Sequence, residues 1–119
     1  MTDLRWDAVM INCHDPESLA AFWAALLGVE VRGRWQQYVG LHPTAPGLPR
    51  LVFQRVDDPR PAGTWVHVDL HVASAADLPA AVDRAVGLGA RPVETQQQDG
   101  QSWQVLADPE DNLFCLVPD

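Results

Sequence analysis

The alternation of hydrophobic and polar positions predicts one amphipathic helix in each half of the chain. Asp15 and Pro16 precede the first helix, and Gly28 follows it; these are favoured residues for an N-cap, a first turn and a helix end. Asp77 and Gly89 bracket the second helix in the same way. The pattern predicts helices over residues 16–27 and 78–88, with these apolar stripes: Leu19, Phe22, Trp23, Leu26 and Leu27 in the first, and Leu78, Ala81, Val82, Ala85, Val86 and Leu88 in the second.

Shorter apolar runs around these helices predict four strands in each half. Pro and Gly between the halves predict a linker over residues 58–63, and the polar stretch 94–101 predicts a hairpin turn. The predicted strands cover residues 6–13, 29–32, 35–41 and 50–56 in the first half, and 65–72, 90–94, 102–107 and 112–117 in the second.

The two halves repeat one another. Asp77 follows Asp15, and Gly89 follows Gly28, at an offset of about 60 residues, half the chain. The segments 51–54 and 112–115 recur at a similar offset. We therefore predict an α+β fold of two tandem βαβββ modules, about 5–57 and about 64–119, within a single domain over residues 1–119. A ferredoxin-like βαββαβ fold is the alternative, but it leaves two short strands unexplained.

Side chains of a strand point alternately to its two faces, so each predicted strand has a helix side and an opposite side. The helix sides carry Val9, Ile11 and Cys13 in the first half, and Val66, Val68, Leu70 and Val72 in the second. The opposite sides carry Ala8, Met10, Asn12, Val52 and Gln54 in the first half, and His67, Asp69, His71, Leu113, Cys115 and Val117 in the second.

These opposite sides have two interpretations. Polar residues such as His67 and Asp69 are ordinary on a solvated sheet face. Large apolar residues share the same sides, however, and a few polar groups among apolar ones are typical of a ligand cavity. We favour the cavity.

Composition narrows the class of protein. The chain has 119 residues, 47% of them hydrophobic and 20% charged, which suits one globular domain. A net charge of −8 disfavours nucleic-acid binding, which depends on basic residues. Neither a membrane-length apolar run nor a signal-peptide pattern is visible, so we expect a cytoplasmic protein without membrane contact. Cys13 and Cys115 fall on opposite strand faces and are expected to be unbonded.

The order and spacing of these motifs resemble the vicinal-oxygen-chelate superfamily over essentially the whole chain. The motifs that carry the resemblance are Asp15-Pro16, Phe22-Trp23, Leu26-Leu27-Gly28, residues 51–54, residues 67–70, Leu88-Gly89-Ala90 and residues 108–115. The sequence is most similar to the glyoxalase-like, bleomycin-resistance-like domains. The resemblance implies curled mixed sheets that form a cup, and a homodimer.

The resemblance also implies a metal position on the first and last strands of each half. The matching residues here are Ala8, Gln54, His67 and Cys115. Ala8 offers no ligand atom, and Cys115 stands where metalloenzymes of the superfamily carry glutamate. His71 lies about 13 Å along the strand from His67, too far to share one ion. We therefore expect no metal and no other cofactor; if a metal binds, Gln54, His67 and Cys115 hold it.

We infer first a small-molecule-binding protein of the sequestration or resistance type, with a largely metal-free cavity. Its polar contacts are predicted to come from Asn12, Gln54, His67, Asp69, His71 and Cys115. The alternative is an enzyme of the superfamily, a lyase, isomerase or hydrolase, with His67, Asp69 and His71 as catalytic candidates. A third hypothesis is an interaction module whose sheet face packs against a partner chain.

Overall fold

The structure is a computed structural model that describes residues 5–57 and 68–118. The predicted α+β class with two βαβββ modules is confirmed. The predicted linker 58–63 and the start of the predicted fifth strand lie outside the described residues. The elements are β1 Ala8–Cys13, α1 Pro16–Leu27, β2 Val31–Trp35, β3 Tyr38–Leu41, β4 Arg50–Arg55, β5 Val68–Val72, a short 3-10 turn Ala75–Asp77, α2 Leu78–Leu88, β6 Arg91–Gln98, β7 Gln101–Ala107 and β8 Leu113–Pro118.

Each half builds its own four-stranded mixed sheet, and neither sheet is closed. The strand orders are β1-β4-β3-β2 and β5-β8-β7-β6. In both sheets the first and fourth strands of the half pair in parallel, and the remaining neighbours pair antiparallel. The chain forms two compact units, Met1–Arg60 and Pro61–Asp119. This topology excludes the ferredoxin-like alternative, which would place its strands in a single sheet.

Helix α1 begins and ends where its sequence predicts. The Asp15 carboxylate accepts a hydrogen bond from the Ser18 backbone N–H at 3.2 Å, and Gly28 ends the helix with a φ of 70°. Leu19, Phe22 and Trp23 are buried. The predicted stripe was too long, because Leu26 and Leu27 are only half-buried. The core of this half is therefore centred on the first two turns of the helix.

Helix α2 has its predicted bounds, but its N-terminal cap and the extent of its buried stripe differ from the prediction. Asp77 does not cap it; instead a 3-10 turn runs into the helix, and the Ser74 hydroxyl donates to the Asp77 carboxylate at 3.0 Å. Ala85 is buried, but Val86 and Leu88 are 42% and 38% exposed. Val86 is one residue beyond the buried Ala85, and this turns it about 100° away from the sheet. The apolar stripe of α2 thus ends one turn earlier than predicted.

Both hairpin turns lie at other positions than the sequence predicted. The second strand ends at Trp35, the predicted start of the third, because the turn lies at Gln36-Gln37 with Gln36 at a φ of 52°. In the second half, β6 and β7 run through the predicted turn and pair as far as Gln98 and Gln101. Asp99 and Gly100, both with positive φ, form the two-residue turn between them.

The strand faces follow the predicted alternation. Cys13, Phe53, Val72 and Phe114 are buried on the helix sides of their strands, and Asp69 and His71 alternate with Val68, Leu70 and Val72. Cys13 and Cys115 form no disulfide bond with each other, as predicted. Within the parts of the chain that the structure describes, no helix is long and apolar enough to cross a membrane.

The turn before β8 is held by one buried carboxylate. Asp108 accepts hydrogen bonds from the backbone N–H groups of Glu110 and Asn112, at 2.9 and 3.0 Å, and from the Asn112 side-chain amide at 2.7 Å. Asp111 takes a left-handed conformation with a φ of 65°. These bonds fix where β8, and with it Cys115, enters the sheet.

Candidate functional site

The face of the first sheet that α1 leaves uncovered holds a cavity of about 510 Å³. Ala8 and Met10 from β1 and Val52 from β4 form its apolar part. Met10 and Val52 are direct neighbours across the parallel pair, so their side chains emerge side by side. An apolar floor of this kind is typical of a small-molecule cavity.

Two aromatic rings stand at the hairpin that borders this cavity. Trp35 and Tyr38 face each other across the end of β2 and β3, with ring centroids 6.0 Å apart and planes 12° from parallel. Gln54 donates from its amide to the Tyr38 hydroxyl at 3.3 Å, which orients the phenol. The Trp35 side chain is 68% exposed, so most of its surface remains open to another molecule.

Arg50, the first residue of β4, lies across the same sheet face. A Cβ on Gly40 would stand 2.7 Å from the Arg50 Nη1 atom, so the guanidinium occupies space that only glycine leaves free. The Arg50 side chain is 23% exposed, and its Nε is buried without a hydrogen-bond partner among the described residues. The Asp7 carboxylate comes no closer than 3.9 Å to that nitrogen and is 82% exposed.

A second arginine beside the cavity is already neutralised. Arg34 donates to both carboxylate oxygens of Glu17 on α1, at 2.6 and 3.2 Å. The Glu17 hydrogen bond, followed by the Glu17 charge, raises the pKa of Arg34. The Arg34 charge is therefore directed to the helix, whereas that of Arg50 is directed to the cavity.

The uncovered face of the second sheet holds a cavity of about 430 Å³ with a different character. Its walls include Asp69, Glu94 and Trp103. The Trp103 indole N–H donates to Gln96 at 3.1 Å, and the Gln96 amide donates to Glu94 at 2.8 Å. This chain of bonds links the indole ring to the Glu94 carboxylate, and carboxylates line this cavity where the first has a guanidinium.

Cys115 lies directly opposite Asp69 across β8 and β5, and it lines the second cavity. Burial is the main cause that raises the pKa of the Cys115 thiol. The charge of Asp69 and a hydrogen bond from the thiol to that carboxylate raise it further. The thiolate, which is the stronger nucleophile and the form that binds metals, is therefore less favoured at Cys115 than at an ordinary cysteine.

A family model for the glyoxalase-like domain matches residues 8–117, which is nearly the whole chain. The chain belongs to the glyoxalase-like domain family. No curated protein matches its sequence.

Solved structures share the fold of this glyoxalase-like domain at low sequence identity. A glyoxalase/bleomycin resistance protein/dioxygenase family enzyme from Burkholderia phytofirmans has a TM-score of 0.79 and 19% identity, covering 93% of this chain and 95% of its own. A genomically encoded fosfomycin resistance protein from Listeria monocytogenes has a TM-score of 0.77 and 14% identity, covering 100% and 94%. A lactoylglutathione lyase from Agrobacterium tumefaciens has a TM-score of 0.69 and 16% identity, covering 98% and 94%.

Of the site residues predicted from the sequence, some line a cavity of this glyoxalase-like domain and others do not. Asp69 and Cys115 line the second cavity together. His71 is exposed beside Val117 at the end of β5, outside that lining. Asn12 and Gln54 pair across β1 and β4, also outside the lining of the first cavity, although Gln54 supports Tyr38 there. His67 lies outside the described residues.

Sequence reasoning missed the residues that give the first cavity its chemistry. Arg50 shares the parity of Val52 and Gln54 on β4, so the same alternation would have placed it on the uncovered face. Trp35 and Tyr38 were placed together in one strand, and the displaced turn hid their pairing across the hairpin. The role of Gly40 follows only from the position of the Arg50 side chain, for which the sequence has no signal.

The described members of the donor set that the superfamily resemblance implies, at Ala8, Gln54 and Cys115, fit a metal poorly. Ala8 has no donor atom, the Gln54 amide offers only its oxygen because its N–H donates to Tyr38, and burial and Asp69 raise the pKa of the Cys115 thiol, which disfavours the thiolate. Across residues 5–57 and 68–118, no three His, Cys, Asp or Glu side chains are grouped so that they could hold one ion. We therefore derive no chemical step through a metal.

Proposed function

We propose that this glyoxalase-like domain binds a small organic molecule on its uncovered sheet faces, as a sequestration or resistance protein does. The observation that carries the proposal is that each half has a cavity on the face its helix leaves free, of about 510 and 430 Å³. Both volumes lie in the range of small-molecule sites. Each cavity combines apolar and aromatic walls with a few polar groups.

The related structures are compatible with this function but do not specify it. One of them is named as a fosfomycin resistance protein and another as a lactoylglutathione lyase. Their identities of 14% and 16% support a shared fold only. The preference for a binding function over a catalytic one therefore depends on the cavities of this chain.

We propose further that the ligand binds without a metal or another cofactor. Support comes from the poor donor set and from the raised pKa of the Cys115 thiol, which burial and Asp69 cause. A neutral thiol forms weaker bonds to cations than a thiolate or carboxylate does. Sequestration needs shape and a few polar contacts, and both cavities offer these.

Catalysis is the second candidate, with His67 and Asp69 in the active site. The observation that favours it is the place of the Asp69 carboxylate in the wall of the second cavity. A carboxylate there can orient a neighbouring base or bind a polar substrate group. The two candidates differ in the fate of the ligand, which is returned unchanged after sequestration and converted by an enzyme.

A thermal-shift screen of a small-molecule library tests the proposal. A ligand at 100 times its Kd stabilises the protein by about 2.7 kcal/mol, which is readily measured as a rise in Tm. We expect Trp35→Ala or Trp103→Ala to reduce the shift, depending on which cavity the ligand occupies. The matched control is Val86→Ala, which also trims an exposed apolar side chain, on helix α2.

Two outcomes of the screen would count against the proposal. One is that no compound shifts Tm; the other is that hits shift the Tm of all three variants as they do that of wild type. Mass spectrometry of each recovered hit after incubation then separates the candidates, because a changed mass favours catalysis. Repeating the screen after treatment with a chelator tests the metal-free part of the proposal.

A further inference from the structure

The first cavity is positively charged in a chain that is acidic overall. Three of the chain's 8 basic side chains, Arg32, Arg34 and Arg50, line it together with one carboxylate, that of Asp7, although the formal net charge of the chain is −8. Glu17 neutralises Arg34. Arg32 is exposed at the rim, which leaves Arg50 as the largely buried cation of this cavity.

The charge of Arg50 is poorly compensated by the protein itself. The Asp7 carboxylate, its ion-pair partner among the described residues, is 3.9 Å from Nε and mostly in solvent. Its Nε is buried with no acceptor among residues 5–57 and 68–118. Covering a cation in this way costs free energy that an oxyanion bound in the cavity recovers. A planar guanidinium is suited to hold a carboxylate through two parallel hydrogen bonds.

The surroundings of Arg50 favour an aromatic body attached to that oxyanion. Met10 and Val52 provide a flat apolar floor on the same sheet face. Trp35 stands at the edge with most of its surface free, and Tyr38 supports it from the other side. Aromatic rings stack on such a surface with offset or edge geometry.

Resting on the proposed binding function, we propose that the cavity of the first half takes a planar aromatic carboxylate. The carboxylate lies against the Arg50 guanidinium, and the ring lies between Trp35 and the floor of Met10 and Val52. Gly40 sets the position of Arg50, because a side chain there would displace the guanidinium. The structure therefore assigns ligand charge to Arg50 and ligand shape to the hairpin aromatics.

Calorimetric titration with 2-naphthoate, 2-naphthamide and 2-naphthylmethylammonium tests the assignment. These probes share the ring and differ in charge, so they isolate the contribution of the carboxylate. We expect wild type to bind 2-naphthoate about tenfold or more tightly than the amide, since a charge-assisted bond is lost. The cation should bind most weakly, and added salt should weaken 2-naphthoate binding only.

Two variants, each with a matched control, test whether the carboxylate binds at Arg50. Arg50→Gln should lower 2-naphthoate affinity to that of the amide, whereas Arg55→Gln, which removes the same charge from the other face of β4, should not. Gly40→Ala should also lower the affinity while keeping every charge, because its methyl group meets Nη1. Gly87→Ala on α2 is its control, because the added Cβ meets no atom beyond its own stretch of helix within 4 Å. Circular dichroism and Tm establish that each variant is folded.

The outcomes separate this inference from the proposed function. Equal affinity for acid and amide, or equal losses in Arg50→Gln and Arg55→Gln, would overturn the aromatic-acid assignment. If the library screen nevertheless gives a neutral or cationic ligand whose affinity Arg50→Gln leaves unchanged, the binding function stands without it. If neither the probes nor the library bind, both fail.

Discussion

At the scale of single residues, the Cys115 thiol has the clearest consequence. Its pKa is raised by burial and by Asp69, so at pH 8 it holds less thiolate than an ordinary cysteine. Alkylation by iodoacetamide should therefore be slow at pH 8 and should rise only at more alkaline pH. Rates measured by mass spectrometry at each cysteine give the profile.

The contribution of Asp69 to this profile can be isolated. Asp69→Asn removes the negative charge and the carboxylate acceptor, so the alkylation profile of Cys115 should move to lower pH. Burial remains, and the profile should therefore not fall below that of a free thiol. Asp83→Asn changes an exposed carboxylate on α2 and should leave the profile in place. Identical profiles in all three proteins would show that Asp69 has no effect on the thiol.

The face of each residue was predictable where strand alternation decides it. Asp69 and Cys115 reach one cavity because both lie opposite the helix side of their strands. The alternation does not say how far along a strand a cavity extends, and His71 therefore falls outside the lining. It also says nothing of the path of a long side chain, and so the position of Arg50 over Gly40 came only from the structure.

At the scale of elements, the first helix gives a test of where the core lies. Leu19 is fully buried and Leu26 only half-buried. Leu19→Ala should destabilise the protein by about 2–5 kcal/mol, the usual cost of such a cavity in a core. Leu26→Ala should cost clearly less. Chemical denaturation of both variants measures the difference, and equal losses would place the core further along the helix.

The turn before β8 depends on a single carboxylate, that of Asp108. Asp108→Ala leaves the backbone N–H groups of Glu110 and Asn112 without their acceptor. An unpaired donor costs about 1–3 kcal/mol when it is fully buried, and these two are half-buried, so we expect a loss of about 1–3 kcal/mol in all in the free energy of unfolding. Asp83→Ala on α2 serves as the exposed control. Urea midpoints that agree for the two variants would show that the turn is not held by Asp108.

Helix bounds were more predictable than hairpins for a physical reason. Pro16 with Gly28, and Pro79 with Gly89, mark the two helices by local backbone preferences that act at single positions. The turn at Gln36-Gln37 carries no glycine or asparagine, so nothing local revealed it. Asp99-Gly100 is a strong two-residue hairpin signal. The residues around it are nearly all polar, so no alternation of apolar and polar positions marked the two strands that it joins.

At the scale of the whole molecule, the metal-free proposal makes a direct prediction. The purified protein should contain far less than one equivalent of tightly bound divalent metal, and a chelator should leave Tm unchanged. Elemental analysis and thermal melting in the presence of chelator measure both. Stoichiometric zinc that His67→Ala removes would make catalysis the better hypothesis, while loss of zinc in Asp83→Ala as well would indicate nonspecific binding.

Oligomeric state is the second property of the whole molecule that can be tested. The superfamily resemblance leads us to propose a homodimer, so light scattering should give a mass about twice the 13.1 kDa of the chain. On dilution, the measured mass should fall to that of one chain only at concentrations well below those at which the dimer is measured. A mass of one chain at every concentration would contradict the proposal.

The separation of the two sheets also affects how the protein is made. Every strand of the first sheet lies between Ala8 and Arg55, and its last strand pairs in parallel with its first. When Arg55 has emerged from the ribosome, the complete first sheet is available to fold, while the strands of the second have still to emerge. Domains generally fold as units during synthesis, from the N-terminus onward. The arginine cavity thus belongs to the part of the protein that cotranslational folding can complete first.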